Sequence, residues 1–468
     1  MRYLFVHQNF PGQYLHLIRR LLKDPGNDVV FISEPSPMSI PGVRRVFYQK
    51  PVRGTDLHPT VRDLDLAMRR AEAVAGLARN LRGLGFTPDI IIGHHGWGEL
   101  LDVVDVWPGV PVLGYFEFYY STTGQDVGFD PEFPSREAQF PHIRTMNAIN
   151  LLALALGQHG QTPTTWQLTR YPEWARGDIA LLAEGARLDV CKPDPGAARR
   201  DFVLGSFHVK PGEKLVTYVS RNLEPYRGFH VMVRALPALL AERPDVKVVL
   251  VGGDDVSYGP RFAGGSWREH YLQELAGKYD ESRVLLPGQL PYPDYLRLMQ
   301  RSDAHCYMTY PFVASWSLRE ALACGTPIVA AAVDPVREFI EEGRNGRLTP
   351  PLDSQALARN VLELLEDTRL NHRLRKGARA YAEANLDLET HLDTFCAHIA
   401  KIVAAHPVPV AARGPVAEAA PAAAEKPAAR KAAAGKASGG KASGAKTPVR
   451  KAAAPRSRKG TAKPATRK

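Results

Sequence analysis

Short apolar runs alternate with amphipathic stretches of helical period along the first half of the chain. Apolar runs bounded by turn residues are typical of buried strands. The predicted strands are residues 3–7, 28–32, 89–93, 111–115 and 179–182, and the predicted helices are 15–22 and 62–84. Strands and helices that alternate in this way form parallel sheets covered by helices. The pattern therefore predicts an α/β protein.

The same pattern restarts after Lys192-Pro193-Asp194-Pro195, which is typical of a linker. The predicted strands are 215–219, 246–251, 284–288, 304–308 and 328–333, and the predicted helices are 229–241, 295–300, 354–366, 371–384 and 389–403. We therefore expect an N-terminal Rossmann-like domain over 1–195 and a second over 196–388. A last helix within 389–406 follows them.

Residues 407–468 differ from the rest in composition, being rich in Ala, Lys, Pro and Gly, with no Leu, Ile or aromatic residue. Such a segment cannot bury enough apolar surface to fold, so we predict a disordered tail. From Ala411 onward it holds 15 Lys and Arg and 2 Glu. The net charge of this segment is therefore +13. Because the whole chain has a net charge of +11, residues 1–410 carry about −2. The tail is suited to polyanions such as nucleic acid; the alternative is a solubilising extension.

Bulk features exclude several classes of protein. No run of 18 apolar residues exists, so no transmembrane helix is expected. Residues 1–7 form too short an apolar run for a secretory leader and fit a first strand. The four cysteines are scattered without a Cys-x-x-Cys pair, which argues against a disulfide framework or a zinc site. A reducing, cytoplasmic location fits these observations.

Residues 309–327 contain a loop, a helix and the start of a strand. Ser317 and Glu320 have the spacing of a capping box, which predicts Ser317 as the N-cap. Gly325 suits a left-handed helix end, and Pro327 prevents continuation. A helix N-terminus at the carboxyl edge of a parallel sheet is a good place to bind phosphate.

Two arginines follow the predicted strand 215–219. Arg221 and Arg227 are six residues apart, so a loop could aim both at one diphosphate. Arginine offers a permanently charged, bidentate fork for such a group. The alternative is a solvated surface pair.

The segment 309–327 resembles the donor-site signature of retaining glycosyltransferases of family 4, which have the two-domain GT-B fold. In that family two glutamates eight positions apart precede an Ala-x-Ala-x-Gly-x-Pro run. Glu320 and residues 321–327 match, but Phe312 stands where the first glutamate is expected. The variant Tyr-Pro-Phe-x-x-Ser-Trp-Ser resembles a subgroup of the family.

Further segments resemble the same family, and together they extend the resemblance over about residues 1–400. Residues 220–228 are similar to its Arg-x5-Lys-Gly stretch, with Arg227 in place of Lys. The other similar segments are 94–99, 115–120, 163–167 and 184–189. The resemblance implies two facing Rossmann-like domains with a cleft between them, and a last helix that crosses back to the first domain.

The resemblance also implies a donor site in the second domain. Glu320 would accept hydrogen bonds from the ribose hydroxyls, although a capping glutamate is the alternative. Backbone N–H groups of 314–318 would bind phosphate and sugar. The donor-binding candidates are Arg221, Arg227, Ser315, Trp316, Ser317, Leu318 and Glu320.

The first domain supplies candidates near the reaction centre. The resemblance implies that His94 contacts the donor sugar or acceptor, with His95 in reserve; a packing histidine is the alternative. Glu117 follows a strand, where a carboxylate could bind an acceptor hydroxyl or stabilise developing charge, or be a buried structural partner. Gly12 and Gly96 are candidates for an acceptor or phosphate loop.

The leading hypothesis is a retaining, metal-independent glycosyltransferase that uses a nucleotide-diphosphate sugar and no cofactor. The acceptor would be a carbohydrate or a lipid-linked hydroxyl, as in polysaccharide or glycolipid synthesis, with the enzyme in the cytoplasm or peripheral at the inner face of the membrane. Asp254 and Asp255 lack the Asp-x-Asp spacing of metal-dependent transferases. Alternatives are a degenerate GT-B binding protein tethered by its tail to polyanions, or a nucleotide-sugar epimerase.

Overall fold

The N-terminal half of the chain (residues 1–195) builds a seven-stranded sheet in the order β3-β2-β1-β4-β5-β6-β7. The computed structural model describes residues 1–407. The strands are β1 (Arg2–Val6), β2 (Asp28–Ser33), β3 (Val43–Phe47), β4 (Ile90–His94), β5 (Val112–Tyr115), β6 (His159–Thr162) and β7 (Ile179–Leu181), and the helices are α1 (Leu15–Leu21), α2 (Arg62–Gly83), α3 (Val103–Val106), α4 (Phe140–Thr145), α5 (Ala148–Ala155) and α6 (Thr165–Arg170).

The C-terminal half (residues 196–388) builds a second parallel sheet of six strands, in the order β12-β11-β10-β13-β14-β15, preceded by the antiparallel pair β8-β9. The strands are β8 (Phe202–Leu204), β9 (Phe207–Val209), β10 (Lys214–Asn222), β11 (Val246–Gly253), β12 (Val284–Gly288), β13 (Ala304–Tyr307), β14 (Ile328–Ala331) and β15 (Arg347–Thr349), and the helices are α7 (Phe229–Glu242), α8 (Trp267–Glu274), α9 (Tyr292–Arg301), α10 (Trp316–Ala323), α11 (Asp334–Arg337), α12 (Ser354–Glu366) and α13 (Thr368–Asn385).

Each sheet reverses its strand order once, and both reversals lie where the candidate residues are found. In the first sheet β1 pairs in parallel with both β2 and β4. In the second sheet β10 pairs in parallel with both β11 and β13. The loops that leave two such neighbouring strands diverge, which opens a crevice at the carboxyl ends of the strands. The loops after β1, β4, β10 and β13 therefore define the two walls of a cleft.

The last helix, α14 (Leu388–Ala405), packs on the N-terminal half. Leu392, Ile399 and Ile402 belong to the same apolar core cluster as residues of β1 and α1. Arg20 at the end of α1 donates a hydrogen bond to Glu389 at 3.2 Å. Burial of this apolar stripe fixes the helix against α1, since apolar area removed from water is the main stabilising contribution.

A long loop of the N-terminal half, residues 121–139, reaches the C-terminal half; we call it the bridging loop. Phe129 and Phe133 pack against the large core cluster of the C-terminal half. Asp130 accepts a hydrogen bond from Tyr310 at 2.5 Å and lies 2.9 Å from His230 Nε2. The bridging loop is thus held by both apolar and charged contacts.

The α/β class and the arrangement of two Rossmann-like sheets were predicted correctly from the sequence. The tail predicted for 407–468 falls outside the described residues, apart from Pro407. Within residues 1–407, no helix combines the length and the apolar character needed to cross a membrane.

Candidate functional site

Two predicted side chains of the N-terminal half lie together at the end of the first sheet. His94 is the last residue of β4, and its Nε2 lies 3.3 Å from Oε2 of Glu117, which follows β5. Nδ1 of His94 accepts a hydrogen bond from the amide of Gly96 at 2.9 Å. Because that bond requires an unprotonated Nδ1, the proton of a neutral ring sits on Nε2 and faces the carboxylate.

The electrostatic surroundings of Glu117 favour its charged form. Burial opposes ionisation, but the hydrogen bond and charge of His94, together with the charges of Arg227 and Arg221, lower the pKa of Glu117 below its ordinary value. Both arginines belong to the C-terminal half. The carboxylate of Glu117 on one wall of the cleft therefore interacts electrostatically with the two arginines on the other wall.

His95, the reserve candidate, lies in the protein core. Its ring is fully buried and lies 4.6 Å from the ring of Phe116. Burial, with a smaller effect from the charge of His94, lowers the pKa of His95 to about 3, so its ring is neutral near pH 7. The chain turns after β4, so that His94 lies at the end of the sheet while His95 enters the core.

The two predicted glycines each lie against a histidine ring. A Cβ added at Gly96 would meet Cε1 of His94 at 2.7 Å, and one at Gly12 would meet the ring of His7 at 3.2 Å. Gly12 also has a φ of +56°, which side chains rarely adopt. The rings of His7 and His94 lie 5.6 Å apart. Both glycines thus permit close approach of the loops after β1 and β4.

The two predicted arginines of the C-terminal half differ in their surroundings. Arg221, near the end of β10, is exposed, and its side chain makes no hydrogen bond or ion pair with another described residue. Arg227 is buried; its Nη1 donates to Thr309 Oγ1 at 3.2 Å and to the carbonyl of Val313 at 3.0 Å. Arg221 is therefore free to meet an anion, whereas Arg227 is held in place.

Phe312 lies inside an aromatic cluster that joins the two halves. The members are Phe118 and Trp166 of the N-terminal half and Tyr226, Tyr310 and Phe312 of the C-terminal half. The ring centroids of Phe312 and Phe118 are 4.5 Å apart. Only 2% of Phe312 is exposed, so its side chain makes a packing contact at this position.

The predicted capping box does not form. The helix α10 begins at Trp316, and Ser315 is its N-cap residue, without a side-chain cap bond. Ser317 instead pairs through Oγ with Ser315 Oγ at 2.7 Å. Glu320 accepts a hydrogen bond from Tyr292 at 2.7 Å. Burial outweighs this bond and raises the pKa of Glu320.

Two of the predicted phosphate-binding amides already have partners. The amide of Ser315 donates to the hydroxyl of Tyr307 at 2.8 Å, and the amide of Leu318 donates to the carbonyl of Ser315 at 3.2 Å. The side chain of Leu318 is fully buried. The α10 start therefore offers fewer free donors than its position suggests.

A cavity of about 160 Å³ lies between the two halves. Gly12 lines it from the loop after β1, Trp316 and Glu320 line it from α10, and Leu392 lines it from α14. Trp316 Nε1 donates to Glu184 at 2.8 Å. Three of the predicted residues thus share this cavity, while His94, Glu117 and the two arginines are not among its lining residues.

Acidic groups that could hold a metal are already paired. Asp254 lies 2.7 Å from Arg268, and Asp255 lies 2.6 Å from Arg261. The carboxylate and imidazole atoms of Asp130, Glu132 and His230 lie within 4.8 Å of one another. Within that group Glu132 is bound to Arg234 at 2.6 Å.

Several residues of the site could not be found from the sequence. His7 follows β1, and its place at the end of the predicted strand 3–7 was the only signal. Tyr292 contacts Glu320 over 28 positions of sequence, and Glu184 contacts Trp316 over 132. The first contact depends on how α9 packs against α10 and the second on how the two halves pack, and no local pattern records either.

The two facing Rossmann-like sheets and the crossing helix define the GT-B fold, and solved structures support this assignment. Sucrose-phosphate synthase from Thermosynechococcus elongatus superposes with a TM-score of 0.65 at 20% identity, covering 86% of this chain and 100% of that chain. HepE of Anabaena, solved in complex with UDP and glucose, superposes with a TM-score of 0.60 at 19% identity, again covering 86% and 100%.

Sequence comparison agrees with the fold. The family model "Glycosyl transferase family 4 group" matches residues 25–191, and the model "Glycosyl transferases group 1" matches residues 205–381. Both halves of the chain are therefore similar to glycosyl transferases, the C-terminal half to those of group 1. D-inositol 3-phosphate glycosyltransferase of Streptomyces avermitilis is 30% identical over 226 residues, which cover 46% of each chain. The matched part of the chain spans about half the length of this relative.

Proposed function

We propose that this protein transfers a sugar from a nucleotide-diphosphate sugar to a hydroxyl of a carbohydrate or lipid-linked acceptor, with retention of anomeric configuration and without a metal ion. The observation that carries the proposal is the arrangement across the cleft. The His94–Glu117 pair on one wall, with 3.3 Å between Nε2 and Oε2, faces the cations Arg221 and Arg227 on the other, and the charges of both arginines lower the pKa of Glu117.

The arginines are suited to the leaving group. In the transfer, the bond between the anomeric carbon and the diphosphate oxygen breaks, and the diphosphate leaves with the electron pair. Fixed cations stabilise that developing negative charge without having to reorganise. Arg221 has no competing partner among the described residues, so it can bind the diphosphate at little cost. Arg227 supplies a second charge from a fixed position.

The opposite wall is suited to the sugar and the acceptor. Positive charge builds at the anomeric carbon as the diphosphate leaves, and the carboxylate of Glu117 can stabilise it. The acceptor oxygen forms the new bond to the anomeric carbon and gives up its proton to the departing phosphate oxygen. His94, whose ring is fixed by Gly96 and Glu117, can donate a hydrogen bond to a sugar hydroxyl.

Donor binding is tested by thermal unfolding with UDP, GDP, ADP and their common sugar conjugates. A ligand that binds the native state raises its melting temperature by mass action. We expect stabilisation by one nucleotide family, reduced in Arg221→Ala and in Glu320→Ala. Arg359→Ala is the matched control, because Arg359 is an exposed arginine on α12. Absence of stabilisation by every nucleotide would overturn the proposal.

Transfer is tested with the donor that stabilises the protein. The anomeric configuration of the product, measured by NMR, should match that of the donor, and turnover should persist in EDTA. Binding without turnover would favour a second candidate, a GT-B protein that binds nucleotide sugars but does not transfer them. The burial of Phe312 against Phe118 is the observation that favours this candidate, because a phenyl ring cannot accept a hydrogen bond from a sugar hydroxyl.

A further inference from the structure

Glu224, between β10 and the buried Arg227, is a fully buried carboxylate with an unusual set of partners. It accepts hydrogen bonds from three successive backbone amides, those of Ser257, Tyr258 and Gly259, at 3.0, 3.4 and 3.1 Å. A buried carboxylate is tolerated only when such donors replace its water. Successive amides that converge in this way form an anion-binding concavity, and here the chain's own carboxylate fills it.

The three amides belong to the loop that follows β11, which carries Tyr258. The ring of Tyr258 lies 4.8 Å from Cζ of Arg227 and 4.7 Å from the ring of Phe312. Tyr258 is 40% exposed, so it forms the outer surface of this stack. On its other side Arg227 donates to Thr309 and Val313. The guanidinium is therefore held between polar acceptors and an aromatic face.

Other contacts fix the same loop around Glu224. Nδ2 of Asn222 donates to Ser257 Oγ at 2.9 Å, and Nε1 of Trp267 donates to the carbonyl of Pro260 at 2.8 Å. Neither of these bonds reaches the backbone of Tyr258. The bond from the Tyr258 amide to Glu224 at 3.4 Å anchors the backbone at the position that carries the stacked ring.

We propose that Glu224 is a positioning residue for donor binding: its carboxylate fixes the loop at Ser257–Gly259 so that Tyr258 orients Arg227 toward the diphosphate. The proposal rests on the donor site proposed above. Glu224 does not touch the donor. Its carboxylate positions Tyr258, and the ring of Tyr258 in turn orients Arg227.

The first test needs no substrate. Amide hydrogen exchange of residues 257–259 should be slow in the intact protein. Glu224→Gln keeps the size of the side chain but replaces one acceptor oxygen by an N–H₂ group, so we expect exchange there to rise by about tenfold or more. Unchanged exchange at these amides would overturn the proposal.

The second test separates positioning from stability. Glu224→Gln and Tyr258→Ala should each raise the KM for the nucleotide-sugar donor while changing kcat much less, and the double variant should be no worse than the poorer single variant. Tyr258→Phe keeps the aromatic face and should recover most of the loss. Asp353→Asn is the matched control, since Asp353 accepts the amide of Ala356 at the start of α12, outside the cleft.

The outcomes distinguish the two proposals. If Glu224→Gln lowers the melting temperature as Asp353→Asn does but leaves the donor KM unchanged, Glu224 is only structural and this inference fails while the donor site stands. If the unmodified protein binds no nucleotide, the proposed function fails and the inference falls with it.

Discussion

The ring of Phe312 packs 4.5 Å from the ring of Phe118, measured between centroids, and so joins the loop after β13 to the loop after β5. Each ring belongs to a different half of the protein. Phe312 thus helps to hold the two walls of the cleft together.

We expect Phe312→Ala to lower the free energy of unfolding by about 3 kcal/mol, because a large buried ring is replaced by a cavity. Urea unfolding measures the change. Phe47→Ala is the control, since Phe47 is 45% exposed and its loss should cost little. Phe118→Ala and the double variant complete the cycle. Additive losses would contradict a direct contact between the rings.

The sequence predicts strands well where apolar residues mark them and poorly elsewhere. The strand β6 consists of His159, Gly160, Gln161 and Thr162, which form no apolar run, yet it pairs in parallel with both β5 and β7. A Cβ at Gly160 would lie 2.8 Å from Cγ1 of Ile179 in β7. Its small size is required by a neighbouring strand, which the local pattern cannot show.

In the candidate site, too, the local sequence pattern predicts some features but misses those that depend on tertiary contacts. Gly325 ends α10 with a φ of +64°, as its type and position predict. The capping box was wrong because Ser315 and Ser317 both suit an N-cap, and tertiary contacts decide between them: Ser315 binds Tyr307, while Glu320 binds Tyr292. The sequence indicated the residue types of the site, but which of them meet depends on the packing of the loops.

Gly114 in β5 gives the sharpest steric prediction. An added Cβ would lie 1.9 Å from Cδ2 of His95, whose ring is fully buried. We expect Gly114→Ala to lower the free energy of unfolding by about 3 kcal/mol. The second change His95→Ala removes the ring and should restore part of the loss.

The control for Gly114 is Gly76→Ala in α2. A Cβ at Gly76 meets nothing within 4 Å, and alanine favours a helix interior over glycine by about 0.5–1 kcal/mol. We expect the melting temperature of this variant to stay the same or rise. If Gly114→Ala and Gly76→Ala had the same effect on stability, the close contact between Gly114 and His95 would be contradicted.

Glu117 should give a pH dependence of defined sign. Its pKa in the folded protein is lowered, so the unfolded state takes up a proton first as the pH falls. The stability that its charge contributes is present above the ordinary glutamate pKa of about 4.3 and is lost as the pH falls through the folded value. Unfolding of the protein and of Glu117→Gln, compared from pH 7 downward, should converge in acid. A difference that grows in acid would contradict the lowered pKa.

The bridging loop should depend on Asp130. This carboxylate is buried between Nε2 of His230 at 2.9 Å and the hydroxyl of Tyr310 at 2.5 Å, and both partners belong to the C-terminal half. Removing the carboxylate leaves a buried imidazole nitrogen and a buried hydroxyl without their hydrogen-bond partner. We therefore expect Asp130→Ala to lower the free energy of unfolding by about 3 kcal/mol.

Limited trypsin digestion tests whether that loss lies in the loop itself. Arg136 is an exposed residue of the bridging loop, and cleavage after it should be faster in Asp130→Ala than in the unmodified protein. Asp255→Ala removes the exposed pair with Arg261 and should change neither stability, beyond about 0.5 kcal/mol, nor cleavage at Arg136. Equal cleavage in all three proteins would mean that the aromatic contacts of Phe129 and Phe133 hold the loop without Asp130.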